Sequence, residues 1–253
     1  MKKNLKKILY FSLISFFLFK TEKIQSIVPY YYFPTTKNLQ NESSNIGKNA
    51  YQLLYFGKYE ESLNLAKLAV KINAKDEKLW LILSEAQLAN KLYKKALNSL
   101  NNAEKINSNI SEIHFAKSKV YLKISQLKNA KIALEKGLKI EPNNHNAIFQ
   151  LGNIFLMEKN YSEAIKFFEE AISIEENAEP LLGLASCLRI KDIKLAIQLA
   201  KKALAKDAKY VNYEYRKEQL WGEKLQNSTE ILLKNEQLQK DVILAKSKIN
   251  ISS

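Results

Sequence analysis

HNAIFQLGNIFLMEKNYSEAIKFFEEAISIEENA, residues 145–178, carries two apolar stripes separated by a polar break. Ile148, Leu151 and Phe155 fall on one helical face, and Ala164, Phe168 and Ala171 fall on another. The stretch predicts two amphipathic helices joined by a tight turn. The same places are filled 34 residues earlier, counting from Ser111, by His114, Ser118 and Tyr121, then Ala130, Leu134 and Gly137, with Lys117 departing from the pattern. Counting from Glu77 gives Trp80, Leu83 and Ser84, then Ala96, Leu100 and Ala103; from Ser43, Ile46, Ala50 and Leu53, then Ser62, Ala66 and Ala69. One period in four registers predicts a stack of helix pairs, each burying its stripe against its neighbours.

The small residues explain the spacing physically. Ala50, Ser84, Ser118 and Gly152 recur on the first helix of each pair, and Ser62, Ala96, Ala130 and Ala164 on the second, where larger side chains would hold the helices apart. Tyr59, Tyr93, Leu127 and Tyr161 recur just before the second helix, where they are expected to fill the wedge between pairs. A fifth pair keeps Leu184, Ala185 and Leu188, then Ala196, Ala200 and Ala203, with an internal loop one or two residues short. Beyond it, Tyr213, Leu220, Trp221, Leu225, Ile231, Leu232, Leu238 and Val242 predict a helical cap over the last pair, with Trp221 as a packing anchor and residues 227–229 as a helix start.

This set of positions resembles the tetratricopeptide-repeat family. The resemblance implies an all-α, right-handed superhelix, an α-solenoid of helix-turn-helix repeats at about 43–76, 77–110, 111–144, 145–178 and 179–208, closed by a C-terminal helical cap at 209–253. It further implies a groove along the first helices that binds a protein or peptide. Mapped onto this sequence, the groove residues are Tyr51, Leu81, Glu85, Phe115, Lys119, Phe149 and Asn153. Aromatic and aliphatic anchors there would supply affinity, and Glu85, Lys119 and Asn153 would set register. The family members that clamp a C-terminal carboxylate need Lys and Asn where this chain has Gly47 and Tyr51, so that clamp is not expected. Residues 215–226, YRKEQLWGEKLQ, are similar to the tails of cyanobacterial repeat proteins.

No catalytic constellation is legible. His114 and His145 lack metal-ligand spacing, glycine-rich phosphate loops and nucleophile elbows are absent from the sequence, and Cys187 is the only cysteine. Non-catalytic action without metal or cofactor is the expectation. The net charge of +14 raises a second reading, a basic surface for nucleic acid or anionic membrane. Arg189 and Arg216 are the only arginines, however, so the charge is almost wholly lysine, which lacks the bidentate fork for phosphate and guanine. Nucleic acid is therefore not the expected partner.

Residues 1–7 are basic and residues 8–19, ILYFSLISFFLF, are an uncharged apolar run ending at Lys20. That is the pattern of an export signal or signal anchor over residues 1–26, with Ser26 the best cleavage position. Residues 27–42 carry Pro29 and Pro34 around Tyr30, Tyr31, Tyr32 and Phe33 and are expected to be extended. Export across, or anchoring to, a bacterial membrane follows as the expected localisation. An export-type N-terminus joined to repeats is similar to the photosystem assembly repeat proteins of cyanobacteria and plastids, which implies an assembly factor.

Overall fold

The computed structural model describes residues 36–251, and packing divides the chain after Leu39 into two units, of which the second, residues 40–253, holds the repeats. The expected signal and the aromatics at 30–33 lie outside the described residues. Five helix pairs follow in order: α1 (Thr36–Tyr55) with α2 (Tyr59–Ile72), α3 (Glu77–Ala89) with α4 (Tyr93–Ile106), α5 (Ser111–Lys123) with α6 (Leu127–Ile140), α7 (His145–Met157) with α8 (Tyr161–Ile174), and α9 (Ala178–Leu188) with α10 (Ile193–Lys206). The tail adds α11 (Tyr213–Glu218), α12 (Glu223–Leu233) and α13 (Gln239–Ile251), with short 3-10 turns before α11 and α13. No strand occurs among the described residues, and no helix there is long and apolar enough to cross a membrane.

The crossing points are where the small residues are. Ala50, Ser84, Ser118, Ser62, Ala96, Ala130 and Ala164 are all buried, and the Ser62 hydroxyl donates to the Ala50 carbonyl across the first crossing at 2.7 Å. Asp76, Asn144, Asn160 and Asp192 cap α3, α7, α8 and α10 by accepting main-chain N–H bonds, each worth about 1 kcal/mol. The turns inside pairs one to four share one geometry: Gly57, Lys91, Ser125 and Lys159 take φ between 59° and 72°, and the next N–H bonds back to a carbonyl five residues earlier, as Leu92 does to Gln87 at 2.8 Å. This is a Schellman stop. First helices touch one another directly, α3 with α5 and α7 with α9, whereas second helices make no comparable contact. The first helices therefore form the inner layer.

Four expectations change. Residues 36–42 are helical rather than extended, because proline influence ends at Pro34 and α1 runs from Thr36. Tyr59 and Tyr161 are about half exposed and fill no wedge, while Tyr93 and Leu127 do pack against the core. The fifth pair is short in its first helix, 11 residues against 13 in α7, rather than in its loop. Residues 227–229 lie inside α12, whose start is Gly222; Thr229 is buried and shares a 2.7 Å hydrogen bond with Ser186, so its hydroxyl ties α12 to α9 instead of capping a helix.

The largest core joins pairs four and five to the tail. Phe168 is fully buried, 5.5 Å from the Phe149 ring, and Trp221, Leu225, Leu232, Leu238 and Val242 continue the same cluster. Arg216, also fully buried, donates to Gln226 at 3.0 Å, to the Tyr210 carbonyl at 2.6 Å and to Glu230. A buried guanidinium is tolerated only with such partners.

Candidate binding face

The inner face divides into an open half and a filled half. Tyr51, on α1, is 61% exposed. One pair further on, the Lys119 ammonium lies 3.6 Å from the Glu85 carboxylate, a half-exposed ion pair linking α5 to α3. Leu81 is half-buried and packs against the core between pairs two and three. Phe115 is turned partly inward: its ring lies where a Cβ on Gly137 would be, and it packs against the buried cluster that includes Leu134 and Leu151. Structure thus brings Leu81, Glu85, Phe115 and Lys119 onto adjacent inner helices, with Tyr51 on the helix before them.

Phe149 and Asn153 do not belong to the open face. They are 1% and 0% exposed because the chain's own tail covers them. Asn153 grips the tail main chain with both ends of its amide: Nδ2 donates to the Leu220 carbonyl at 3.0 Å, and Oδ1 accepts from the Gly222 N–H at 3.1 Å. Gln150 donates to the Gln219 carbonyl at 3.2 Å, and the Lys224 ammonium donates to the Met157 carbonyl at 2.6 Å. Between these bonds the Trp221 ring sits 5.8 Å from those of both Phe149 and Tyr210, with Nε1 donating to Glu179 at 3.0 Å. The expected last third of the groove is a filled seat.

That seat depends on a bare glycine and a twisted leucine. A Cβ on Gly222 would overlap the Met157 sulfur and come within 3.1 Å of Asn153 Oδ1, so only glycine lets the main chain this close. Leu220 has φ 66°, ending α11 in the same Schellman geometry as the repeat turns, with the Trp221 N–H on the Arg216 carbonyl at 3.2 Å. Glu179 is the titratable group beneath the indole. Burial pushes its carboxyl above the ordinary 4.5 and the nearby Asp207 adds to this, against hydrogen bonds from Trp221 and Tyr210.

Gln150, Glu179 and Lys224 were missed in the sequence, where Leu220 and Trp221 stood only as cap residues and the glycine after Trp221 was the one signal of a close approach. The other polar groups are structural. His114 is buried with Nδ1 3.7 Å from Glu104, and burial lowers its pKa; Lys117 bonds Glu104 at 2.5 Å. Burial pushes the Cys187 thiol up to about 12, leaving it protonated. Some of the positive charge is locally neutralised, as where Lys202 and Lys206 meet Glu176 and Lys201 meets Asp241.

Residues 111–144 and 145–178 each match the tetratricopeptide repeat family. The chain carries tetratricopeptide repeats. Among curated proteins none matches it in sequence. Among solved structures it is similar to TTC0263, a thermophilic tetratricopeptide-repeat protein of Thermus thermophilus, at 20% identity, covering 70% of this chain and 96% of that one with a TM-score of 0.58. MamA residues 41 to the end from Desulfovibrio magneticus RS-1 aligns at 21% identity over 68% of this chain and 96% of its own, with a TM-score of 0.58. YrrB, described as a repeat protein with an unusual peptide-binding site, aligns at 16% identity over 68% and 93%, with a TM-score of 0.51. At these identities the likeness is one of fold.

Proposed function

We propose that the protein is a non-catalytic scaffold that binds a protein segment along the inner face of its first three tetratricopeptide repeats, through Tyr51, Leu81, Glu85, Phe115 and Lys119. The observation that carries this reading is the grip of Asn153 on the Leu220–Gly222 main chain. It is an example, within this chain, of how a first helix holds an irregular peptide stretch: a side-chain amide satisfies the backbone while an aromatic anchor fills the space beside it. Repeats four and five already hold such a stretch, so an incoming segment is left with repeats one to three. YrrB, with its peptide-binding site, is a precedent on the same fold. Export or membrane anchoring through residues 1–26 and a role in assembling a larger complex complete the proposal, resting on the sequence at the N-terminus.

Proximity labelling from the full chain tests it. Tyr51→Ala with Lys119→Glu changes two exposed side chains and is expected to remove the specific partners while leaving the melting curve in place. A partner set unchanged by that pair of substitutions refutes the groove. Phe149→Ala is unsuitable, because that ring belongs to the core.

A further inference from the structure

The fifth pair departs from the other four at its turn, and the departure builds a surface. Its turn, residues 189–192, is four residues long against three in the other pairs and has no left-handed position; instead the Asp192 N–H bonds the Leu188 carbonyl at 2.7 Å, and Ile190 is left 82% exposed. Beside it, Arg189, Ile193, Ile231, Leu232, Lys234 and Asn235 line a cavity of about 210 Å³ between this turn and the end of α12. Ile193 and Ile231 are themselves 42% and 55% exposed.

Both charged side chains that line the cavity, Arg189 and Lys234, are basic, and neither is in an ion pair among the described residues. Two of the neighbouring acids are engaged, Asp192 capping the Leu195 N–H at 3.0 Å and Glu230 holding Arg216, whereas Glu236, one residue beyond Asn235, is exposed. Further along α10, by contrast, Lys202 and Lys206 share Glu176. Exposed isoleucines between two unpaired cations suit a counterpart that is both apolar and anionic.

We infer that this turn is a second docking site, for an acidic protein segment that places one large apolar side chain between Ile193 and Ile231 and its carboxylates on Arg189 and Lys234. The volume decides the class of occupant. Small-molecule sites occupy roughly 300–1,000 Å³, and this cavity is smaller, matching a single side chain rather than a metabolite or a lipid chain. Arginine's planar fork suits a carboxylate, and Arg189 is the only arginine outside the buried cap. The site is separate from the inner face and does not depend on the groove reading.

Selection of displayed random heptapeptides on the full chain, run in parallel on Arg189→Glu with Lys234→Glu, provides the test. Arg189 is half-buried and Lys234 exposed, each just past the end of its helix, and an unchanged circular-dichroism melt confirms the fold. Peptides retained by the native chain and weakened about tenfold by the charge reversal are expected to pair Asp or Glu with a large apolar residue. Ile231→Lys should lose the same peptides, and Tyr51→Ala should keep them. A pool with no acidic enrichment, or one held equally by the reversed variant, overturns the proposal. So does discrimination that appears only with phosphatidylglycerol vesicles, which would assign the surface to lipid headgroups.

Discussion

Asn153 and Gly222 meet at 3.1 Å, the glycine N–H donating to the asparagine Oδ1 while the same side chain donates to Leu220 two residues back. A single amide therefore satisfies two main-chain groups that the fold has removed from water. Asn153→Ala leaves both without partners, and the cost of such orphaned groups is about 2–3 kcal/mol in total. Denaturant unfolding should show that loss, with Leu or Asp at 153 no better than Ala. A loss below about 0.5 kcal/mol would mean that the seat is held by the indole alone.

Gly222→Ala drives a methyl into the Met157 thioether. A loss of about 1–3 kcal/mol is expected from the forced shift. Because the obstacle is one flexible side chain, Met157→Ala in the same chain should recover part of it, so that the double mutant is less destabilised than the two single effects added together. Strict additivity in a double-mutant cycle would show that the two residues do not meet.

Glu179 makes the cap sensitive to pH. Its folded pKa is raised above the ordinary 4.5, so the folded state favours the protonated carboxyl. The stability it contributes is complete below pH 4.5 and is lost as pH rises through the folded value. Glu179→Gln keeps an acceptor for Trp221 Nε1 and carries no charge, so it should be more stable than the native chain at pH 8 and lose less on going from pH 5 to pH 8. Unfolding midpoints across that range decide the point; parallel curves for the two proteins contradict it.

The repeat turns differ in how well their residues suit a left-handed conformation. Gly57 has nothing within 4 Å of a would-be Cβ, so Gly57→Ala is a purely conformational change and should cost about 1 kcal/mol. Lys91→Gly and Lys159→Gly relieve the same strain at φ 59° and 67° and should be neutral or stabilising by up to about 1 kcal/mol, the gain being offset by glycine's greater freedom when unfolded. Thermal melts of the three variants should place Gly57→Ala below the native chain and the two lysine variants at or above it.

The fold was legible because its spacing is enforced by sterics at a few positions. Ala50, Ser84, Ser118 and Gly152 are small where helices cross, and their 34-residue recurrence follows from one such crossing in every unit. The filled seat was not legible, because Leu220, Trp221 and Gly222 occur once and outside the period. Phe149 and Asn153 look like groove residues by position and are so by chemistry, but the segment they bind is this chain's own. Phe115 keeps its place on the inner helices but is turned partly inward, because Gly137 on the neighbouring helix leaves a recess for its ring. Likewise Asn227, Ser228 and Thr229 read as a cap only until α9 supplies Ser186 as the partner of Thr229.

The tail's fit to the last two pairs also limits how this protein can grow. Solenoids lengthen by copying a unit onto an end, and here the end is not interchangeable: the tail is cut to fit Asn153, Glu179 and Ser186 together. A duplicated unit placed after Lys206 would find no matching surface for α12 and would strand the tail. New units are admissible only upstream of residue 145, so any lineage that varied its length would have kept its last two units and tail as a block while the front was free to change.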